Sequence, residues 1–358
     1  MTLMTEGRGL IVNLIALRHG HHAAQSGYAR MVDFLEANVI TTDRVPNLWQ
    51  RGFTRVFKFA IKRSGSQWYH RSNFLAECSA AWQWMRGSNQ IFHFLYGENS
   101  YRYLGNLKRL GRNHRIVCTY HTPPERFGEI VHDRHHLRHL DAVIVFSSAQ
   151  MNFFTELLGY ERVFYIPHGV DVDYFQPTTE AKQNHAELRC LFVGQHLRDF
   201  ETLATAARHL ESTVAKVRFL IVTPKHRHHH FHGLGNVELY SAISDAALLT
   251  LYQQSDLFVF PLLDTTANCA VQEAMACGLP IVATDLAGIR DYVDESCALL
   301  TPRGDAQALV DAILNLHESQ DLRIRMGTAS RTKALDCRLE SVAAQTMEVY
   351  RQLGNDVP

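Results

Sequence analysis

The segment PLLDTTANCAVQEAMACGLPIVATDLAG, residues 261–288, contains most of the information about the fold. It follows the short apolar run 257–260 and, after a turn, enters a helical pattern that starts near Asn268, a residue type favoured at the N-cap position. Gly278 and Pro280 then end this helix in the order expected at a C-terminus. The segment therefore predicts a buried strand, a turn and a helix, which is the repeating unit of an α/β domain.

Short apolar runs alternate with helical patterns along the rest of the chain, which is typical of strands buried on both faces of a parallel sheet. The predicted strands fall into two groups, one in each half of the chain. The first group comprises 10–17, 90–95, 115–120, 142–146 and 163–166. The second group comprises 188–193, 217–222, 237–240, 257–260 and 281–284. Each group is predicted to form a doubly wound, Rossmann-like domain, so the predicted fold class is α/β.

The length of 358 residues allows two domains with cores of their own. The segment 177–187 has no apolar periodicity and follows a turn-rich stretch, which is typical of a linker. It divides the chain into an N-terminal domain, 1–176, and a C-terminal domain, 188–338. The remaining segment, 339–358, has the pattern of an amphipathic helix and is predicted to pack on the N-terminal domain.

Positive charge is concentrated in one part of the sequence. The chain has 36 Lys and Arg and 36 Asp and Glu in total, but the segment 44–115 contains 13 of the bases and only two acids, Glu77 and Glu98. This excess predicts that one face of the molecule meets an anionic partner. Nucleic acid is not the predicted partner, because no recognised nucleic-acid-binding motif accompanies the charge.

The cysteines and the hydropathy pattern indicate a cellular location. The seven cysteines are scattered and are not spaced as paired metal ligands, which is typical of a reducing compartment. The sequence shows neither an apolar run of about 18 residues nor a signal-like start. We therefore expect a cytoplasmic protein, and the basic segment adds the expectation of peripheral attachment to the inner face of the membrane.

The predicted helix start at Asn268 has no charged residue in its first turn. Its backbone N–H groups and the positive end of the helix dipole are therefore available to an anion, most naturally a phosphate. Glu273 lies more than one turn deeper, where a carboxylate can accept two hydrogen bonds from a vicinal diol such as a ribose. Together these two residues predict a binding site for a phosphate and a sugar.

The run EAMACGLP, 273–280, resembles the donor-binding signature of retaining glycosyltransferases of family 4, also called group 1 glycosyltransferases. That family has the GT-B fold, with two facing Rossmann-like domains. The resemblance implies that the C-terminal domain binds a nucleoside diphosphate sugar, with Glu273 on the ribose and the Asn268 N–H on the diphosphate, while the N-terminal domain binds the acceptor. The first Glu of the family signature contacts the transferred sugar, and this chain has Thr265 there, preceded by Asp264.

Two motifs of the N-terminal domain also resemble the family. His121, in VCTYHTPPERF, follows a predicted strand, as does a family His near the donor sugar. Its neutral imidazole can donate one N–H to a sugar or phosphate oxygen. Ser26 and Gly27 are similar to the Gly-rich first loop of the family, where glycine allows the backbone to approach a phosphate or the acceptor closely.

The loop that begins at Gly194, in LFVGQHLRDF, resembles the Gly-Arg-Leu loop of the family. Arg198 takes the position of a family Lys, and Gln195 takes the position of the Arg. The resemblance implies that Arg198 clamps the leaving diphosphate as a bidentate cation and acts with His121 as a catalytic residue.

The function implied by the resemblance is retaining transfer of a sugar from a nucleoside diphosphate sugar to a hydroxyl acceptor in glycan, polysaccharide or glycolipid synthesis. The acceptor is expected to be a glycan, a lipid-linked compound or a small molecule. We expect no cofactor and no metal, because the sequence shows no clustered Asp-x-Asp site. Two alternatives stay open: a nucleotide-sugar epimerase on the same fold, and a non-catalytic nucleotide-sugar-binding subunit, the latter because Thr265 and Gln195 stand where the family usually has charges.

The basic residues of the segment 51–63 recur at helical spacing, with Phe53 and Phe57 largely on another side. The basic ones are Arg51, Arg55, Lys58 and Lys62. This pattern predicts a helix that lies on an anionic membrane surface. The alternative is an ordinary helix that packs its Phe side on the sheet.

Two histidine clusters, 132–139 and 226–232, raise the question of a metal site. In an α-helix the pairs His135 with His139 and His226 with His230 would share a face. Neither cluster has the His-Glu-x-x-His pattern of a zinc hydrolase, so no functional metal site is predicted.

Overall fold

The computed structural model describes residues 10–17, 25–41, 54–178, 187–213 and 215–355. Contacts divide the chain into two compact units. The described residues of 1–22, 28–167 and 340–358 form the first unit, and those of 23–27 and 168–339 form the second unit.

The described residues form strands and helices in alternation. The strands are β1 (Ile11–Ile15), β2 (Asn38–Ile40), β3 (Gln90–Phe94), β4 (Arg115–Thr119), β5 (Ala142–Val145), β6 (Val163–Tyr165), β7 (Leu188–Val193), β8 (Val217–Val222), β9 (Val237–Tyr240), β10 (Leu257–Phe260), β11 (Ile281–Thr284) and β12 (Ala298–Thr301). The α-helices are α1 (Thr54–Arg63), α2 (Arg71–Met85), α3 (Gly97–Ser100), α4 (Pro124–Ile130), α5 (Ser148–Leu158), α6 (Phe200–Glu211), α7 (Asp245–Gln254), α8 (Cys269–Ala276), α9 (Ala287–Arg290), α10 (Ala306–Glu318), α11 (Gln320–Asp336) and α12 (Leu339–Asn355). Short 3-10 helices lie at Tyr28–Asp33, Leu104–Leu110, His135–His139, Tyr160–Arg162 and Lys225–Phe231.

Each unit contains a six-stranded parallel sheet. The strand order is β2-β1-β3-β4-β5-β6 in the first unit and β12-β11-β10-β7-β8-β9 in the second unit. The order changes direction between β1 and β3 and between β7 and β10, which is the predicted doubly wound topology. In such sheets ligands bind at the carboxyl ends of the strands beside this switch point.

Four of the central strands are buried along their whole length, as the apolar runs predicted. Every residue of β3, β5, β10 and β11 is buried. Two edge strands, β2 and β12, were missed by the prediction. Both are incompletely buried: Ile40 is the one buried residue of β2, and the two middle residues of β12 are half-buried.

Arg331 holds the start of the second unit in place. Its guanidinium donates hydrogen bonds to three main-chain oxygens, those of Val172 at 3.1 Å, Phe175 at 2.9 Å and Ala276 at 2.7 Å. These bonds tie the segment 172–175 to the end of α8. The longer segment of the second unit starts at His168, before the linker predicted at 177–187. Residues 179–186 of that linker lie outside the described residues.

The C-terminal helix α12 belongs to the first unit from residue 340 onward. The main-chain oxygen of Leu353 accepts a hydrogen bond from Nε of Arg115 at 3.3 Å. Leu10, just before β1, lies against Gly354, so closely that a Cβ on this glycine would be 3.0 Å from the Leu10 side chain. These contacts attach the end of the chain to the sheet of the first unit.

Helix α1 is the described part of the basic segment 51–63. Phe57 is buried, while the exposed side chains are those of Lys58, Phe59, Lys62 and Arg63. Arg51 and the side chain of Arg55 lie outside the described residues. Among the helices in the described ranges, none is long and apolar enough to cross a membrane.

Candidate active site

Helix α8 begins after the loop that follows β10, beside the switch point of the second sheet. Asn268 is its N-cap residue, and the side-chain oxygen of Asn268 accepts a hydrogen bond from the Ala270 N–H at 3.1 Å. The first turn contains no acidic residue. The predicted helix start is therefore confirmed, and N–H groups at this terminus can bind an anion.

Arg198 joins the loop after β7 to this helix start. Its Nε donates to the Val193 oxygen at 3.1 Å, its Nη1 to the His196 oxygen at 2.7 Å, and its Nη2 to the Asn268 side-chain oxygen at 3.2 Å. Its Cζ also lies 4.1 Å from the centroid of the Phe260 ring. Counted over the described residues, these hydrogen bonds use three of the five guanidinium N–H groups, so two remain for a ligand.

The surroundings of Arg198 affect both its charge and its position. Burial lowers the pKa of Arg198 to about 9, so the side chain is still charged at neutral pH. Gly194 has a φ of +103°, and a Cβ at this position would lie 2.6 Å from Nη2 of Arg198. Glycine is therefore needed both for the backbone conformation and for the space that the guanidinium occupies.

Glu273 is buried beneath the helix start, and each of its carboxylate oxygens has a hydroxyl partner. The Tyr252 hydroxyl donates to Oε2 at 2.9 Å, and the Ser26 hydroxyl donates to Oε1. Burial raises the pKa of Glu273, and the two hydrogen bonds act in the opposite direction. Since each carboxylate oxygen has a second lone pair, the group can also accept hydrogen bonds from a ligand diol.

The segment 25–27 groups with the second unit. The Gln25 N–H donates to the Asp245 carboxylate at 3.1 Å, and Gly27 has a φ of +91°. From the sequence we expected Ser26 and Gly27 to approach a phosphate or the acceptor. The structure places the Ser26 hydroxyl on Glu273, the residue predicted to bind the ribose, and the approach of this segment to a ligand stays a prediction.

The loop between β10 and α8 contains Asp264 and Thr265, both half-buried. The Asp264 carboxylate accepts a hydrogen bond from the Thr265 N–H at 2.8 Å. A Cβ on Gly288 would overlap the main-chain oxygens of Thr265 and Thr266, so this loop packs directly on the start of α9. The backbone at Thr265, the position predicted to contact the transferred sugar, is therefore held by the Asp264 carboxylate and by packing against Gly288.

His121 lies in the first unit, directly after the end of β4. Its backbone N–H donates to Oε1 of Glu98 at 3.0 Å, and its Nε2 lies 2.8 Å from the Leu95 oxygen. Because a carbonyl oxygen can only accept, Nε2 of His121 carries a proton and donates it to Leu95. The contact of His121 with a donor sugar or phosphate stays a prediction.

The histidine clusters 132–139 and 226–232 include 3-10 helices rather than α-helices. With three residues per turn, residues four apart do not share a face, so the pairs expected from α-helical spacing do not form. His230 contacts the Glu201 carboxylate at 2.9 Å, and His136 is buried. Within the described ranges, no three His, Cys, Asp or Glu side chains come together as metal ligands.

Tyr252 is the residue of this site that sequence analysis missed. It is fully buried in α7, and its pattern in the sequence is that of an ordinary core aromatic. Its partner Glu273 lies on a different helix, so no local spacing connects the two.

The part of the chain that contains Arg198, Asn268 and Glu273 is similar to a known protein family. Residues 187–319 match the family described as Glycosyl transferases group 1. The chain contains a group 1 glycosyltransferase domain. This confirms the resemblance predicted from the run 273–280. The glycosyltransferase domain includes Arg198 and Glu273, while His121 lies outside it.

Two proteins that are similar in sequence to this chain are named as glycosyltransferases. The chain is 34% identical over 107 residues to a D-inositol 3-phosphate glycosyltransferase of Corynebacterium urealyticum, a match that covers 30% of this chain and 25% of that protein. It is 26% identical over 251 residues to a phosphatidyl-myo-inositol mannosyltransferase of Mycobacterium leprae, covering 66% of each protein. The chain thus spans only part of the length of these relatives.

The fold is similar to that of a solved sucrose-phosphate synthase from Thermosynechococcus elongatus. The TM-score is 0.71 at 20% sequence identity, and the match covers 96% of this chain and 99% of that chain. This similarity confirms the predicted α/β fold class of the GT-B type.

Proposed function

We propose that the protein is a glycosyltransferase that moves a sugar from a nucleoside diphosphate sugar to a hydroxyl acceptor with retention of the anomeric configuration. The observation that carries this proposal is that Arg198, Asn268 and Glu273 surround the start of one helix. In this arrangement the N–H groups of α8 and the two remaining N–H groups of Arg198 bind the diphosphate. Glu273 binds the ribose hydroxyls. The names of the two relatives support the same reaction class.

The proposed chemistry depends on charge that develops as the donor breaks. When the bond between the sugar C1 and the diphosphate oxygen breaks, negative charge grows on the leaving phosphate. Arg198 and the terminus of α8 are already in place, so they stabilise the transition state more than the bound donor. The acceptor oxygen bonds to C1 on the same face, and its proton passes to the leaving phosphate oxygen. No protein base and no metal ion is required in this scheme.

The test is release of nucleoside diphosphate from UDP-, GDP- and ADP-sugars, measured with and without an acceptor. Inositol 3-phosphate and phosphatidylinositol are the first acceptors to try, since the relatives' names contain them. We expect release that requires an acceptor, that continues in EDTA, and that yields an α-linked product from an α-linked donor. Inversion, or activity lost in EDTA and restored by Mg²⁺, would contradict the mechanism.

The same assay separates the two other functions. Donor consumption without any acceptor would favour the epimerase on this fold. Stabilisation by donor without any release would favour a non-catalytic binding subunit, the function to which Thr265 at the sugar position points. A donor at about 100 times its dissociation constant stabilises a protein by about 2.7 kcal/mol, which a thermal-shift measurement detects easily.

We further propose that helix α1 contacts an anionic membrane surface. Phe59 is 62% exposed, and the guanidinium of Arg63 lies 5.4 Å from the centroid of the Phe59 ring. Lys58 and Lys62 are exposed on the same helix. An exposed aromatic ring among cations suits the interface between water and anionic lipid headgroups. A location at the inner face of the membrane stays a prediction of this proposal.

Replacing Lys58, Lys62 and Arg63 together by Gln is expected to weaken binding to phosphatidylglycerol vesicles by about 100-fold. Each cation near an anionic surface contributes about 1 kcal/mol. The measurement is co-sedimentation with vesicles at low salt. The matched control replaces three exposed cations of the second unit, Lys225, Arg303 and Arg325, by Gln. Equal binding by both triple variants, or no binding by the parent protein, would remove the membrane proposal.

A further inference from the structure

Four buried polar side chains form a continuous line through the core of the first unit. The Tyr350 hydroxyl, on α12, lies 2.5 Å from Nδ1 of His93. Nε2 of His93, on β3, lies 2.8 Å from the Thr119 hydroxyl on β4. The Thr119 hydroxyl lies 3.3 Å from the hydroxyl of Tyr28. Tyr28 is 2% exposed and the other three side chains are fully buried.

The direction of these hydrogen bonds follows from their chemistry. Burial lowers the pKa of His93 to about 3, so its ring is neutral and has one N–H donor and one acceptor nitrogen. Within the described part of the chain, the Tyr350 hydroxyl contacts no acceptor except Nδ1 of His93. Tyr350 therefore donates to Nδ1, Nε2–H donates to Thr119, and the Thr119 hydroxyl donates to Tyr28. A single set of proton positions satisfies the whole line.

The line ends beside the residue predicted to act on the sugar. The Tyr28 ring meets the His121 ring edge-on, with centroids 5.2 Å apart and an interplanar angle of 72°. Tyr96 stacks on the His121 ring with centroids 4.4 Å apart, and its own ring meets the Tyr28 ring edge-on at 6.5 Å. The position of the Tyr28 ring therefore limits where the imidazole of His121 can lie.

A core of this kind does not need polar groups for stability alone. Apolar side chains of similar volume pack equally well in many buried sites, and each buried polar group must find a partner. Here every side chain of the line has a hydrogen-bond partner, and three bonds must form together in the core. A buried polar network whose members all have partners makes the core rigid and favours one packing arrangement.

We propose that Tyr350, His93 and Thr119 are positioning residues that hold Tyr28 and, through it, the imidazole of His121. The C-terminal helix is then part of the structure that sets the geometry beside the sugar, rather than only a cover on the sheet. The geometric part of this inference stands on the first unit alone. Its effect on turnover rests on the proposed function.

The test compares Tyr350→Phe with the parent protein. Phe keeps the ring and removes the hydroxyl, so Nδ1 of His93 loses its donor. We expect a changed ¹⁵N resonance of His93 Nδ1, a changed ¹⁵N pattern of His121, and a kcat that falls about tenfold with little change in the donor KM. Single histidine substitutions assign the resonances. The matched control is Tyr101→Phe, because the Tyr101 hydroxyl is also buried and donates to the main-chain oxygen of His136 at 3.1 Å.

A second pair of variants keeps the test decisive if Tyr350→Phe unfolds. Thr119→Ser preserves the hydroxyl and is expected to retain the parental His121 resonances, whereas Thr119→Val is expected to shift them. His121 resonances that stay unchanged in both Tyr350→Phe and Thr119→Val would overturn the inference. If the parent protein transfers no sugar, the proposed function fails, but the His121 resonances still decide the geometric part.

Discussion

Glu273→Gln is expected to weaken nucleotide binding by about 100-fold. Gln has the same size as Glu but replaces one acceptor oxygen by an NH₂ group, which cannot accept a hydrogen bond from a ribose hydroxyl. A hydrogen bond to a charged group contributes about 1.5 to 3 kcal/mol, so the loss of one such bond and of the charge accounts for this change. Isothermal titration with UDP and GDP measures it directly.

The control for this variant is Glu211→Gln, an exposed acid at the end of α6 that accepts a hydrogen bond from the Gly235 N–H at 2.5 Å. It removes the same charge from the same unit and should leave nucleotide affinity unchanged. Undiminished affinity in Glu273→Gln would remove the ribose assignment. A thermal melt of both variants without ligand separates binding from stability.

The pH dependence of Glu273 provides an independent check of the same assignment. Burial raises the pKa of this carboxyl, so the folded protein binds its proton more readily than the unfolded chain does. Its contribution to the stability of the ligand-free protein is therefore present at low pH and is lost as the pH rises through the raised pKa. Nucleotide affinity should change in the opposite sense, because the ribose hydroxyls bind the anion. Affinity should fall as the solution is acidified, and Glu273→Gln should lack this response.

Arg198→Lys is expected to reduce kcat by about 100- to 1,000-fold, the effect of removing one preorganised donor to a developing negative charge. Lysine keeps the charge but cannot contact Val193, His196 and Asn268 while also reaching a phosphate. The affinity for the free nucleoside should change much less, since the nucleoside has no diphosphate. Steady-state kinetics with the preferred donor, together with nucleoside titration, separates the two effects.

Arg331→Lys is the matched control for Arg198→Lys. Arg331 also donates three hydrogen bonds within the second unit, but it does so at the other end of α8. Both variants should lose stability, and only Arg198→Lys should lose turnover in the folded protein. An equal loss of kcat in the two variants would show that Arg198 acts through the fold rather than on the diphosphate.

Local features of the chain were predictable because their physical causes are local. Asn268 caps the helix through its own neighbours, and Gly278 ends it with a φ of +75°. The central strands were visible as apolar runs because both of their faces are buried. The edge strands β2 and β12, which are only partly buried, were not predicted, although the edge strands β6 and β9 were.

The amino-acid sequence was sufficient to establish the α/β class, the helix start at Asn268 and the resemblance carried by 273–280. Only folding in three dimensions could supply the partners of the buried groups. Ser26 reaches Glu273 across 247 positions of the chain, and Tyr252 reaches it across 21. The tertiary structure also determined that Nε2 of His121 donates to the Leu95 oxygen. A cap or a strand is stabilised by residues next to it, whereas a buried carboxylate or imidazole bonds to whichever groups the packed chain brings within about 3 Å.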